Sequence, residues 1–158
     1  MRTTRVLAAC GAALVMIGGA ASLAVAGSGP EVGLAYHGAA SMAAGRVDVR
    51  FTPRNHGASA VPDASVRLLW SEPLADRQAL PGGCARSGER AVVCRVGALA
   101  AKGVGEPIGL RVQLREAPSE VLLEIGAVAD GGRGGGSGSG DSDPQRVLVL
   151  DTGDEYYF

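Results

Sequence analysis

Gly82-Gly83-Cys84-Ala85-Arg86-Ser87-Gly88-Glu89-Arg90-Ala91-Val92-Val93-Cys94-Arg95-Val96-Gly97 is the stretch from which the fold of this chain is read. It holds two of the three cysteines; the third, Cys10, lies close to the N-terminus. A turn signal, Ser87-Gly88, is followed by the β-branched pair Val92-Val93, the pattern of a β-hairpin closed by a short loop. Cys84 and Cys94 are read as bonded to each other across that hairpin, with Cα atoms about 4.4–6.8 Å apart. Closing a loop of this size contributes about 2.5–3 kcal/mol on the chain-entropy account.

Outward from the hairpin, apolar and polar residues alternate in short runs. On the N-terminal side, Gly33 to Ala40 reads as a first strand. In Arg46-Val47-Asp48-Val49-Arg50-Phe51-Thr52, Val47, Val49 and Phe51 take one face and Arg46, Asp48 and Arg50 the other. One face on a core and one in water gives that alternation. Pro53 to Gly57 is a turn. Val66, Leu68 and Trp70 then share a face opposite Arg67 and Leu69.

On the C-terminal side, Ile108, Leu110, Val112 and Leu114 alternate with Arg111, Gln113 and Arg115. Val121, Leu123 and Ile125 form the next inward set, and Val147-Leu148-Val149-Leu150 reads as a final strand buried on both faces. Residues 131–144 are Gly- and Ser-rich and read as a flexible loop. No sustained helical period occurs, so the pattern predicts an all-β sandwich.

The N-terminus has the three parts of a secretory signal peptide: Arg2 and Arg5, an uncharged apolar run from Val6 to Val25, and the small-x-small site Ala24-Val25-Ala26. Residues 1–26 are therefore expected to form a signal-peptide helix that is removed, taking Cys10 with it and leaving no membrane segment; the alternative is an uncleaved membrane anchor, since an apolar run of about 20 residues can span a bilayer. Secretion supports a single disulfide between the two remaining cysteines. The formal net charge of −1 becomes −3 once the two leader arginines are gone. With no polybasic run and no aromatic–basic interleaving, nucleic acid is not an expected partner.

The two histidines, His37 and His56, have no partner carboxylate or nucleophile nearby in sequence, and there is no nucleophile elbow. They read as ordinary loop or strand-end residues, and Trp70 reads as core. Asp130, Asp141 and Asp143 offer the oxygen ligands calcium takes, at a spacing that fits no calcium loop. No metal or other cofactor is expected. The charge is segregated: residues 27–115 carry +4 and 116–158 carry −7. Arg46, Arg50 and Arg54 share the outward face of one strand, and Arg111 and Arg115 that of another. If those strands pair, five arginines gather on one sheet face. Such a face either solvates an exposed sheet or meets an anionic cell-wall polymer, another envelope protein, or the chain's own acidic, aromatic tail at 151–158.

A series of short motifs resembles the bacterial surface repeat called domain of unknown function 11 and, more loosely, CARDB-type adhesion modules. The series runs Asn55-x-Gly57, Asp63-Ala64-x-Val66, Leu80-Pro81-Gly82-Gly83 before Cys84, Cys94-x-Val96-Gly97-x-Leu99 with Gly103, and Asp141-x-Asp143 ahead of the last strand. Gln145-Arg146 stand where that family has paired asparagines, and only one copy is present. The resemblance implies an immunoglobulin-like Greek-key sandwich of about seven strands, here over residues 27–150, located at the cell surface. It implies no catalytic residue. The expected role is a secreted, non-enzymatic binding or structural module at the bacterial envelope. Two alternatives are a secreted hydrolase inhibitor that presents the stapled loop Arg86–Arg90, and a small secreted enzyme.

Overall fold

The computed structural model describes residues 33–128 and 143–158. The expected leader helix, Cys10, Asp130, Asp141 and nearly all of the Gly/Ser-rich segment lie outside them.

Among the described residues there are nine strands and no helix: β1 (Leu34–Ala43), β2 (Arg46–Asn55), β3 (Val61–Trp70), β4 (Cys84–Arg86), β5 (Ala91–Leu99), β6 (Ile108–Gln113), β7 (Glu120–Ala127), β8 (Gln145–Leu150) and β9 (Tyr156–Tyr157). The strand count exceeds the expected seven; β9, at two residues, is too short to show an alternating pattern.

Two antiparallel sheets form, one in the order β6-β2-β1-β9 and the other β4-β5-β3-β7-β8. The chain crosses between sheets after β2, β5, β6 and β8. These crossovers make the Greek-key connectivity of an immunoglobulin-like sandwich. The core lies between the inner faces. Val47, Val49 and Phe51 of β2 and Leu110 and Val112 of β6 are buried on one side, and Val66, Leu68 and Trp70 of β3 and Leu123 and Ile125 of β7 on the other. Each large apolar side chain buried this way stabilises the sandwich by about 1.5–3 kcal/mol.

The expected hairpin is present. Cys84 pairs directly with Cys94, and the two are disulfide-bonded. Their Cα–Cα distance is 4.0 Å, below the expected range. Arg95 N donates to Gly83 O in the neighbouring pair, which puts the cysteines at a non-hydrogen-bonded position, where opposed Cα atoms approach most closely.

The other correction concerns β8. Val147 and Val149 point inward, but Arg146 and Leu148 face water, Leu148 at 49% exposure. β8 belongs to a sheet covered on its inner face alone, so the outward side chains of the strand have no layer to pack against. The acidic tail, 151–158, contributes β9 to the four-stranded sheet.

Candidate functional site: the outer face of the four-stranded sheet

Strand register arranges the outward side chains of β6-β2-β1-β9 in rows. Arg50 pairs with Gly109 on one side and Ala39 on the other, and Ala39 pairs with Tyr157. The row therefore reads Gly109, Arg50, Ala39, Tyr157. In the next row Arg111 stands opposite Asp48, and Asp48 opposite Ser41. Small residues alternate with long ones, so the sheet surface sinks into a groove of about 1050 Å³.

Two segments wall the groove. On the β6 side the loop Ala79-Leu80-Pro81 rises along the strand edge. Gln78 holds it there: its Nε2 donates to Gln113 O at 2.7 Å, and its Oε1 accepts from Gln113 N at 2.9 Å. The amide thus completes the ladder at an edge that would otherwise be open to another chain. Leu80 anchors the same loop against the core.

On the far side β9 forms the wall. Gly38 and Phe158 exchange N–H···O bonds of 3.0 Å, and Asp151 Oδ1 accepts from Ala44 N at 2.8 Å. Gly38 is required at this position. A Cβ there would lie 2.1 Å from Arg50 O and 2.7 Å from Phe51 Cα. Tyr157 stands on the rim at 76% exposure, and its hydroxyl donates to Glu155 Oε2 at 2.8 Å. That hydrogen bond, and the Glu155 charge with it, raises the Tyr157 pKa above the ordinary phenol value.

Of the five arginines, Arg46, Arg50, Arg54 and Arg111 lie on this face, because β2 and β6 do pair. Arg111 Nε meets Asp48 Oδ1 at 2.5 Å across the strands. Both side chains are substantially exposed, so the pair contributes 0 to about 1 kcal/mol, but it neutralises one arginine within the groove. Arg115 lies past the end of β6, where its guanidinium approaches Asp76 at 3.5 Å. Arg46, Arg50 and Arg54 form no ion pair with any described residue. A smaller extension of about 300 Å³, lined by His37, Thr52, Arg54 and Val104, continues the groove toward the other end of β2.

The histidines, far apart in sequence, come together: the His37 and His56 rings stand edge to face at 6.3 Å. His37 and Ser41 sit four residues apart on β1, roughly 13 Å along the strand, beyond the reach of a nucleophile–base hydrogen bond. Asp143, the one calcium candidate within the described residues, is exposed. No group of three or more His, Cys, Asp or Glu among the described residues could hold a metal ion.

Sequence reading missed Arg86, which is turned inward. Its Nε donates to Gly88 O at 2.8 Å, its Nη1 to Ala75 O at 2.7 Å and Asp76 O at 3.1 Å, and its Nη2 to Leu74 O at 3.2 Å. The guanidinium ties the β3–β4 connection to the stapled hairpin. Gln78 and Tyr157 were also missed as groove-forming residues, because the partner of each lies on a strand distant in sequence.

No protein-family model matches the chain, and no curated protein sequence matches it.

Proposed function

We propose that this protein is a secreted, non-catalytic binding module of the bacterial envelope, and that it holds an anionic polymer in the groove on the outer face of β6-β2-β1-β9. The observation that carries this reading is Arg50. It stands at the middle of an open groove with no carboxylate paired to it among the described residues. Arg46 and Arg54 extend the positive charge along the same strand face. Asp48 and Glu155, which also line the groove, are acceptors that suit a partner bearing hydroxyl donors beside its anions. The sandwich fold and the motif series shared with envelope repeats favour the location.

The stapled hairpin is a poorer candidate for an inhibitory loop, since Arg86 is already held by backbone carbonyls. Among the described residues no assembled nucleophile and base favours the enzyme reading.

The test is binding to purified cell wall across a salt series, beside the triple variant Arg46→Ser, Arg50→Ser, Arg54→Ser. Raising salt from about 0.1 to 1 M shortens the screening length from about 10 to 3 Å. Binding is expected to weaken with salt and to fall in the variant. Failure to bind, or binding that responds to neither change, refutes the proposal.

A further inference from the structure

Resting on the groove as the binding site, we propose that its occupant is an acidic polysaccharide: a sugar ring lies over Ala39 between Tyr157 and Arg50, and its carboxylate meets the Arg50 guanidinium.

The row Gly109, Arg50, Ala39, Tyr157 sets the dimensions. Neighbouring strands are about 4.8 Å apart, so the backbones bearing Arg50 and Tyr157 are roughly 10 Å apart with a methyl group between them. Ala39 therefore floors a slot of ring width, with an aromatic side chain on one side and a planar cation on the other. Gly109 floors a second slot on the other side of Arg50, against the Leu80-Pro81 wall. A Cβ built on Gly109 meets no atom within 4 Å, so this space is open.

The side chains around the slots suit a ligand that carries hydroxyl groups beside its anions. Arg50 can take a carboxylate through two parallel N–H donors. Asp48 and Glu155 are acceptors only, and sugar hydroxyls can donate to them. Tyr157 is the feature that asks for a ring. A large aromatic left 76% exposed, with its hydroxyl held by Glu155, presents a fixed apolar face beside polar groups.

The experiment measures binding of the protein to three soluble polymers at low salt: polygalacturonate, which has rings and carboxylates; poly-glutamate, which has carboxylates without rings; and a glycerol-phosphate polymer. The variants are Tyr157→Ala, Arg50→Ser and Gly109→Val. All three positions face outward, and urea midpoints verify that each variant is folded. Polygalacturonate is expected to bind at least tenfold more tightly than the other two polymers. Tyr157→Ala and Gly109→Val are expected to weaken polygalacturonate about tenfold, corresponding to roughly 1.4 kcal/mol, while leaving the weak poly-glutamate binding unchanged. Arg50→Ser is expected to weaken both.

If all three polymers bind equally, or Tyr157→Ala has no effect while Arg50→Ser does, the sugar assignment is wrong and the anion-binding groove survives. If no polymer binds, both readings fall. If polygalacturonate binds with no effect of any variant, the site lies elsewhere.

Discussion

Replacing Asn55 by Ala is expected to cost about 3 kcal/mol of stability. Asn55 ends β2, is fully buried, and is the only buried polar side chain among the described residues. Its Nδ2 donates to Ser59 O at 2.8 Å and to Ala100 O at 3.0 Å, and its Oδ1 accepts from Gly57 N at 2.9 Å. One side chain thereby fastens the β2–β3 turn to the β5–β6 connection. Asn55→Ala removes all three bonds and leaves Gly57 N and Ser59 O without partners, while Ala100 O keeps its bond from Gly103 N. At about 1 kcal/mol each the loss is ~3 kcal/mol, equivalent to a fall in Tm of about 12 °C for a domain of this size.

Asn55→Asp tests the same geometry with a pH signature. The acceptor for Gly57 N remains, but a carboxylate would face two carbonyl oxygens. Only the protonated form can donate to one of them. Its folded pKa therefore rises above the ordinary value of about 3.9. The variant should be most stable below about pH 4 and lose stability as pH rises through the elevated folded value. Urea midpoints at several pH values measure both effects. A loss under about 1 kcal/mol for Asn55→Ala with unchanged m, or a flat pH profile for Asn55→Asp, would refute this account of the site.

The remaining predictions concern the staple and a buried phenol. Reduction, or the double change Cys84→Ser with Cys94→Ser, should cost about 2.7 kcal/mol for a sequence separation of 10. Finding two free thiols in the non-reduced protein would contradict the bond. Tyr36 is buried, its hydroxyl has no hydrogen-bond partner among the described residues, and burial pushes its pKa up to about 12. Because the folded value is raised, this stabilising contribution is intact below pH 10 and is lost as pH climbs from 10 through 12. Tyr36→Phe should lose less stability over that range. Parallel losses in the two proteins would show that Tyr36 does not drive the alkaline instability.

Much of the architecture was legible because β-strand alternation is a local property with a period of two residues. Val47, Val49 and Phe51 could be assigned to the core, and Arg46 and Arg50 to the outside, with no knowledge of what β2 pairs with. The staple was legible because its two cysteines flank a turn and an apolar run in one short segment. Neighbouring layers were not legible in the same way. Val147-Leu148-Val149-Leu150 looks like a strand buried on both faces, yet Leu148 is exposed because no second layer covers the outer face of its sheet.

Sequence by itself therefore determined the all-β class, the cross-linked hairpin and the outward direction of the β2 arginines, since each follows from residues close together in the chain. Tertiary structure alone decided the groove. It set Asp48 against Arg111 and Ala39 between Arg50 and Tyr157, moved Arg115 to Asp76, and turned Arg86 onto the backbone carbonyls of Leu74 and Ala75. Most of these neighbours are separated by tens of residues. The register that joins them comes from packing the two inner faces, because a shift of one residue would turn each buried valine into water.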